Sequence, residues 1–326
     1  MTELVVVDIG GTHARFAIAT IAADGTITLG EPETLHTEDH ASFQTAWEDF
    51  RERRGGSLPP NVAMAIAGPV GGEVIRFTNN PWIIRPAQIE PKLGATRHTL
   101  VNDFEAVAHA VARADESQFI HLTGPDQPLG PRGTISVLGP GTGLGVAHLW
   151  RDVAAGKYHV QATEGGHTDF PPLDSIEDAI LARLRKRHNR VSVERVVSGP
   201  AIVDIYETLA AMEGRAVTSD DDVAIWTRGL DGSDSLAAAA VDRFCLALGA
   251  TAGDVALAQG GFAGVVIAGG LGFRIRETLL TSGFAERFIA KGRFAGLMAT
   301  IPVKLIVHPQ PGLYGAAAAF ANEHMP

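Results

Sequence analysis

Cysteine is nearly absent from this chain. Cys245 is the one cysteine among 326 residues, which excludes disulfide bonds within the chain and zinc sites built from several cysteines. Basic residues are also outnumbered, with 27 Lys and Arg against 37 Asp and Glu and a formal net charge of −10. A surface of that sign argues against nucleic acid and anionic membranes as partners. We therefore expect a cytoplasmic protein that binds neither nucleic acid nor membrane.

Membrane spans and leader segments are missing from the sequence pattern as well. The sequence shows no apolar stretch of spanning length, and a strand-like segment follows Met1, so we expect neither a membrane span nor a signal peptide. The one basic cluster, RLRKRHNR from Arg183 to Arg190, ends a predicted helix. Cations are favoured beside the last carbonyl groups of a helix. The cluster therefore predicts a solvated helix end.

The composition is that of a globular protein with more than one core. Hydrophobic residues make up 45% and charged residues 20% of the chain, which carries no sign of extended disorder. A chain of 326 residues is too long for one ordinary hydrophobic core, so we expect two domains. Apolar strand-like runs alternate with helical patterns, which predicts α/β layers. The predicted strands are 4–7, 62–67, 135–138, 264–268 and 303–308, and the predicted helices include 103–114, 235–259 and 313–324.

The first strand-like run, in ELVVVDIGGTHARFAIAT, stops on an aspartate. Four continuous aliphatic residues predict a strand that is covered on both faces. Apolar sequence resumes at Phe16, so the Gly-Gly-Thr segment 10–12 falls in a tight connection. Asp8 would then lie at the open end of the strand, beside backbone N–H groups that no side chain covers. These N–H groups could bind phosphate oxygens, and the carboxylate could bind the metal ion that accompanies the phosphate. The alternative is an ordinary hairpin in which glycine supplies a positive φ.

A weak internal repeat extends this pattern. LVVVDIGGTHARFA and TISVLGPGTGLGVA align at their Gly-Thr pairs, about 130 positions apart, which predicts two similar halves that each offer a turn to one shared cleft. A third apolar strand, in GVVIAGGLGF, also ends on a glycine pair. The P-loop pattern is absent, and no GxGxxG follows these strands. P-loop and dinucleotide-binding folds are therefore disfavoured.

Eight stretches together resemble the bacterial glucokinases that lack the repressor-type zinc motif. They are DIGGTHARFA, TNNPW, VNDFEAVA, LGPGTGLG, TEGGHTDFPP, VSVERVVSGP, IAGGLG and PGLYGAAAA. The resemblance implies an α/β, two-domain actin-like ATPase (ribonuclease H-like) sugar kinase fold with an interdomain cleft. It implies a small domain of residues 1–105 plus 312–326 and a large domain of residues 106–311. The related repressor/kinase family carries a cysteine-rich zinc site, which one cysteine cannot supply, so no structural zinc is implied.

The resemblance implies ATP-dependent phosphorylation of glucose at its 6-hydroxyl, which feeds glycolysis. ATP and Mg²⁺ are the implied cofactors, glucose and ATP the binding partners, and a homodimer the expected assembly. One alternative is a kinase for another hexose, such as fructose, mannose or an N-acetylhexosamine. The other is a sugar-sensing regulator derived from a kinase. The presence of Asp103 and the lack of a basic DNA-binding extension before Glu3 weigh against the regulator.

The residue roles follow from the same resemblance. Asp103 is the implied catalytic base, and at the start of a helix its ionised form is favoured, although Asn102 and Asp103 could merely cap that helix. The implied sugar-binding residues are Asn79, Asn102, Asp103, Glu164, His167 and Glu194. The implied nucleotide-binding residues are Asp8, Gly10, Gly11, Thr12, Gly141, Thr142, Gly143, Gly269 and Gly270. Asp8 would also meet Mg²⁺ through water.

Two of these side chains, and Arg15 as well, also have plain structural interpretations. Glu194 could be an ordinary acid in the first turn of a helix. His167 could be a loop histidine with its hydrogen bonds satisfied. An exposed arginine on the first hairpin, Arg15, could reach phosphate or could simply lie in solvent.

Overall fold

The computed structural model describes residues 1–77, 80–217 and 221–325. Its strands are β1 (Thr2–Ile9), β2 (His13–Ile21), β3 (Ile27–Leu29), β4 (Glu33–His36), β5 (Asn61–Ile66), β6 (Ile75–Arg76), β7 (Ile83–Ile84), β8 (Arg97–Asn102), β9 (Phe119–Thr123), β10 (Arg132–Pro140), β11 (Leu144–Asp152), β12 (Lys157–Thr163), β13 (Gly264–Ile267) and β14 (Val303–Ile306). Its helices are α1 (Phe43–Arg53), α2 (Ile89–Leu93), α3 (Asp103–Arg113), α4 (Ser175–Arg185), α5 (Ala201–Met212), α6 (Asp222–Leu230), α7 (Ser235–Gln259), α8 (Gly269–Arg274), α9 (Arg276–Thr281), α10 (Phe284–Ile289), α11 (Ala295–Met298) and α12 (Pro311–His324). Each predicted strand and helix overlaps one of these elements.

The described residues form two compact units, the first comprising Met1–Ala114 with His308–Pro326 and the second comprising Asp115–Val307. The sheet of the first unit has the strand order β3–β2–β1–β5–β8, and β4 also pairs with β2. β1 pairs in antiparallel fashion with β2 and in parallel fashion with β5, which in turn runs parallel to β8. The carboxyl ends of β1, β5 and β8 therefore meet at one edge of this sheet.

The continuous aliphatic run in β1 serves two cores. Val5 and Val7 pack with the aromatic cluster beneath α1, whereas Leu4 and Val6 pack with the alanine-rich face of α12. Because side chains alternate between the two faces of a strand, a strand covered on both sides must be apolar at every position. This explains why the sequence shows a run instead of an alternation.

The C-terminal helix α12 packs closely against α3 in the first unit. Its alanines leave little space between the helices, and Gly315 makes the closest approach. A Cβ atom at Gly315 would lie only 1.7 Å from the carbonyl oxygen of Ala106. A glycine at this position therefore sets the spacing of the two helices.

Replacing Gly315 with alanine is expected to destabilise the protein by at least about 2 kcal/mol, because the new methyl group meets backbone that cannot move aside. Gly296 in α11 provides the matched control, since a Cβ atom there would meet nothing within 4 Å. G296A should leave stability unchanged or raise it slightly. Urea denaturation followed by circular dichroism measures both variants, and equal midpoints for G315A and wild type would contradict this account.

The sheet of the second unit repeats the arrangement of the first. Its strand order is β12–β11–β10–β13–β14–β9. β10 forms an antiparallel hairpin with β11 and runs parallel to β13, just as β1 does with β2 and β5. The predicted internal repeat is therefore present as a repeat of topology, and each unit carries one Gly-Thr hairpin.

The long helix α7 corrects one expectation from the sequence. Its 25 residues are long and apolar enough to cross a membrane by length and composition, with a window of mean hydropathy 1.3. However, 72% of that window is buried inside the structure. Two of its glycines allow close packing on α10, because a Cβ atom at Gly249 would lie 2.2 Å from the carbonyl oxygen of Phe284 and one at Gly253 would lie 2.5 Å from that of Phe288. The helix has the packing of a core helix.

The basic cluster at the end of α4 is mostly exposed to solvent, as its sequence predicts, but two of its arginines also pair with the neighbouring helix. Arg183 and Arg187 both form ion pairs with Asp204 of α5, and Arg183 also pairs with Glu207. The Asp204 side chain is only 16% exposed. These arginines therefore join α4 to α5, because the carboxylates they pair with lie on the neighbouring helix.

Candidate functional site

The first Gly-Thr hairpin joins β1 to β2 through residues 10–12. Its carbonyl oxygens are all engaged: that of Gly10 accepts from Asn80 Nδ2 at 3.2 Å, that of Gly11 from Thr37 Oγ1 at 2.9 Å and that of Thr12 from the Thr37 amide at 3.0 Å. Within the described residues, the amides of Gly11 and Thr12 have no acceptor. Neither glycine has a positive φ, so left-handed backbone does not explain the two glycines, although β1 and β2 do form an antiparallel hairpin.

Asp8 lies near the carboxyl end of β1, beside this hairpin. Its Oδ2 atom is 3.4 Å from Nη1 of Arg15, the residue opposite it on β2. A Cβ atom at Gly312, near the start of α12, would lie 2.8 Å from the same oxygen. Burial raises the pKa of Asp8 above its ordinary value, and this effect outweighs the lowering by Arg15. The carboxylate therefore lies in a confined place where a nearby cation would favour its charge.

The surroundings of Asp8 fit a magnesium ion bound together with phosphate. Carboxylate oxygen is a ligand that Mg²⁺ prefers, and this ion usually keeps several water ligands. In the part of the chain that the structure describes, no group of three or more His, Cys, Asp or Glu gathers to hold a metal. A magnesium ion at Asp8 would therefore draw its remaining ligands from water and phosphate oxygens.

Asn102 and Asp103 lie at the carboxyl end of β8, where α3 begins. Asn102 caps the helix, since its Oδ1 accepts from the amides of Phe104 and Glu105 at 2.9 and 3.2 Å. Its Nδ2 donates to the carbonyl oxygen of Gly68 at 3.2 Å. The capping prediction is thus confirmed for Asn102, whose Nδ2 keeps a second hydrogen without a partner among the described residues.

Asp103 is the first residue of α3, and its Oδ1 accepts from the Phe104 amide at 2.8 Å. Burial raises the pKa of Asp103 to about 6, and the negative charge of Asp8 adds to the increase against the opposing Phe104 hydrogen bond. The expectation that the helix start favours the ionised form is therefore wrong, because burial raises the pKa of this carboxyl group by more than its hydrogen bonds lower it. A carboxyl group with a pKa near neutral pH still suits general base catalysis. The first unit thus brings Asp8, Asp103 and the first hairpin to one edge of its sheet.

The second Gly-Thr hairpin joins β10 to β11 through residues 141–143. The carbonyl oxygen of Gly141 accepts from the Gly199 amide at 2.7 Å. Glu194 lies directly against this hairpin, because its Oε2 accepts from the Leu144 amide at 3.0 Å. A Cβ atom at Gly143 would lie 2.5 Å from that same oxygen. Glu194, predicted on the sugar side, therefore also supports the second hairpin.

The segment from Glu164 to His167 packs beside the same hairpin. A Cβ atom at Gly166 would lie 2.3 Å from the carbonyl oxygen of Leu144, so only glycine permits this approach. The flanking side chains remain open: Glu164 is 83% exposed and His167 55% exposed, with their Oε2 and Nε2 atoms 3.8 Å apart. The second unit therefore gathers Glu164, His167 and Glu194 around β11.

The glycine pair after β13 begins α8. Gly269 has a φ of +88°, and a Cβ atom there would lie 3.1 Å from the carbonyl oxygen of Pro140. Gly270 faces open space, since a Cβ atom would meet nothing within 4 Å. The pair therefore adjoins the second hairpin and leaves room beside it. Asn79 lies outside the described residues, and the neighbouring Asn80 contacts the first hairpin.

Two contacts of the first unit were missed in the sequence, those of Thr37 and Gly312. Thr37 lies in an unremarkable HTED segment, so no local signal marks it. Gly312 belongs to the PGLYGAAAA stretch, whose proline-glycine start next to a predicted helix is a signal for close backbone approach.

Two α/β units, each with a Gly-Thr hairpin beside a buried strand, define the two-domain actin-like ATPase fold of sugar kinases. A ROK family glucokinase from Streptomyces griseus, solved with glucose and AMPPNP, has this fold at 18% identity and a TM-score of 0.61, covering 97% of this chain and 98% of that one. A glucokinase from an Antarctic psychrotroph is 33% identical with a TM-score of 0.88, covering 99% of each chain. The glucokinase of Zymomonas mobilis subsp. mobilis is 57% identical over 99% of this chain and 98% of its own length.

The family model described as glucokinase matches residues 5–323. The chain belongs to the glucokinase family, which confirms the prediction at the level of the family.

Proposed function

We propose that this protein is an ATP-dependent hexose kinase that phosphorylates glucose on its 6-hydroxyl, giving glucose 6-phosphate and ADP for glycolysis. The observation that carries the proposal is the position of Asp103 at the sheet edge beside Asp8 and the first hairpin, in a chain 57% identical to a glucokinase. Phosphoryl transfer to an alcohol needs alignment, charge neutralisation and an acceptor for one proton. This chain offers a residue for each of these tasks.

Asp103 is the proposed base. It takes the proton of the 6-hydroxyl while the hydroxyl oxygen attacks the γ-phosphorus of ATP and ADP leaves. The amides of residues 11–12 and 142–143 are proposed to donate to phosphate oxygens, and Gly269 and Gly270 to admit adenosine. The amides of Gly10 and Gly141 already donate to carbonyl oxygens of their own hairpins, so these two glycines would only line the phosphate site. Magnesium, when bound with ATP, would neutralise phosphate charge, and Asp8 would hold it through water. The proposed contacts to sugar hydroxyls are those of Asn79, Asn102, Glu164, His167 and Glu194.

A hexose panel tests the reaction. ADP release is measured at fixed ATP and Mg²⁺ with glucose, fructose, mannose and N-acetylglucosamine, and glucose should give the highest kcat/KM. A higher value for another hexose would favour the alternative substrate. Glucose binding without ADP release from any sugar would favour the sugar-sensing regulator.

We also propose that this chain is a glucokinase without the ROK zinc motif, and that it acts as a cytoplasmic homodimer that binds neither nucleic acid nor membrane. One cysteine and the higher TM-score to the psychrotroph glucokinase support the subgroup, and the net charge of −10 supports the last point. The domain division at residues 105 and 312 remains a proposal. Light scattering should give twice the 34.3 kDa chain mass, and a monomer mass would contradict the dimer.

The kcat/KM for glucose is expected to fall as pH is lowered through about 6. Burial raises the pKa of Asp103 to that value, and only the ionised carboxylate accepts a proton, so activity should drop about tenfold per pH unit below the pKa. The rate is measured from pH 8 to pH 5, with the melting temperature at each pH to detect unfolding. A rate that stays level to pH 5 in folded protein would exclude this carboxyl as the titrating base.

A further inference from the structure

The carbonyl groups of the first hairpin are held by two residues that no role above explains. Thr37 uses its hydroxyl for the carbonyl oxygen of Gly11 and its amide for that of Thr12, and Asn80 uses Nδ2 for that of Gly10. Both residues are buried, with Thr37 3% and Asn80 6% exposed. Buried polar groups therefore fix every carbonyl group from residue 10 to residue 12.

Fixing a carbonyl group also fixes the next amide. The trans peptide group is planar, so the C=O of one residue and the N–H of the next point in opposite directions. Asn80, by holding the oxygen of Gly10, aims the amide of Gly11. Thr37, by holding the oxygen of Gly11, aims the amide of Thr12. These are the two hairpin amides that have no acceptor among the described residues.

Thr37 and Asn80 are themselves fixed in place by neighbouring structure. Thr37 directly follows β4, which pairs with β2 from His13 to Phe16. Asn80 accepts at Oδ1 from the Trp82 amide at 2.9 Å, and Trp82 is 1% exposed with its Nε1 donating to the carbonyl oxygen of His40 at 2.8 Å. A solvent-exposed turn would not need anchors of this kind, because water would satisfy its carbonyl groups.

We propose that Thr37 and Asn80 are positioning residues that orient the amides of Gly11 and Thr12 toward the phosphate oxygens of ATP. The inference rests on the proposed function, because it assigns ATP phosphate to this hairpin. Donors aimed before the ligand arrives need no rearrangement on binding, which is how preorganised amides favour anions. Loss of either anchor should weaken nucleotide binding and leave sugar binding nearly unchanged.

The test compares T37V with T37S. Valine has nearly the shape of threonine and keeps the backbone amide, but it removes the hydroxyl that holds Gly11. We expect T37V to raise KM for ATP about five- to tenfold, in line with one lost hydrogen bond, with the glucose dissociation constant within about twofold of wild type. T37S retains a hydroxyl and should restore KM for ATP to within about twofold.

Thr99 provides the matched control. It is also buried in the first unit, at 3% exposure, and its Oγ1 donates to Glu323 Oε2 at 2.7 Å instead of to the hairpin. T99V should therefore lower stability while leaving KM for ATP unchanged. An equal rise of KM in T99V and T37V, or no recovery in T37S, would reduce Thr37 to a structural residue and overturn the proposal.

A second variant and a second measurement keep the test decisive. N80D retains the oxygen that accepts from Trp82 but replaces the donor to Gly10, so it should weaken nucleotide binding at least as much as T37V. Calorimetry with AMPPNP measures this affinity without turnover. Wild-type protein that binds AMPPNP but transfers no phosphate to glucose would contradict the proposed function, while the variants would still test the anchors. Unchanged AMPPNP affinity in every folded variant would overturn the inference itself.

Discussion

Asp103→Asn is expected to lower kcat by about 10²- to 10⁴-fold, the usual contribution of a positioned general base. Asparagine is nearly isosteric and can still accept from the Phe104 amide, which bonds Oδ1 of Asp103 at 2.8 Å. The start of α3 should therefore keep its geometry, and glucose should bind within a few-fold of wild type. What is lost is the acceptor for the hydroxyl proton. An ADP-coupled assay and glucose calorimetry on the same preparation measure both quantities.

Asp178 supplies the control for this substitution. It is an exposed acid in the first turn of α4, so Asp178→Asn removes a comparable helix-end carboxylate from a helix that the proposed site does not use. D178N should keep kcat within about twofold. If the activity of D103N stays within about tenfold of wild type, the activation free energy has risen by less than about 1.4 kcal/mol. That result would rule out Asp103 as a necessary base.

The parts of the fold that could be predicted are those in which the apolar pattern of one segment is enough to identify it as a strand. β1 is apolar at every position because each of its faces contacts a different core. β8 gave no such signal, although it carries Asn102 into the site. Its buried positions include Thr99, whose hydroxyl bonds Glu323 far along the chain. A polar residue satisfied by a distant partner interrupts the apolar pattern that marks a strand.

In the site, too, contacts between residues close in sequence could be predicted, whereas contacts between distant residues could not. The helix cap at Asn102 is a contact over two or three residues, so its pattern is visible in the sequence. The hydroxyl contact of Thr37 with Gly11 spans 26 residues, and that of Glu194 with Leu144 spans 50. Such contacts depend on how strands and turns come together within each unit. A local pattern cannot contain them, and the resemblance suggested a sugar role for Glu194 without its bond to the hairpin.

Glu194→Gln is expected to weaken both glucose and ATP, whereas Glu164→Gln should weaken glucose alone. The carboxylate of Glu194 has two equivalent oxygens, and Oε2 already accepts from the Leu144 amide of the second hairpin. Glutamine is uncharged and offers one oxygen and one NH2 group in place of two carboxylate oxygens, so it loses an acceptor on one side and makes a weaker, uncharged hydrogen bond on the other. Glu164 is 83% exposed, and its contact to His167 involves no hairpin atom. The two substitutions are therefore expected to differ in whether they weaken ATP binding as well as glucose binding.

Each lost charge-assisted bond should raise the glucose dissociation constant roughly ten- to hundredfold. In E194Q the KM for ATP should also rise several-fold, whereas in E164Q it should stay within about twofold. Glu213→Gln is the control, since Glu213 is exposed and pairs with Arg215 at the end of α5. Calorimetry with glucose and with AMPPNP separates the two affinities. Equal nucleotide affinity in E194Q and E164Q would mean that the Glu194 carboxylate does not support the second hairpin, and an unchanged glucose affinity in E194Q would remove it from the sugar site.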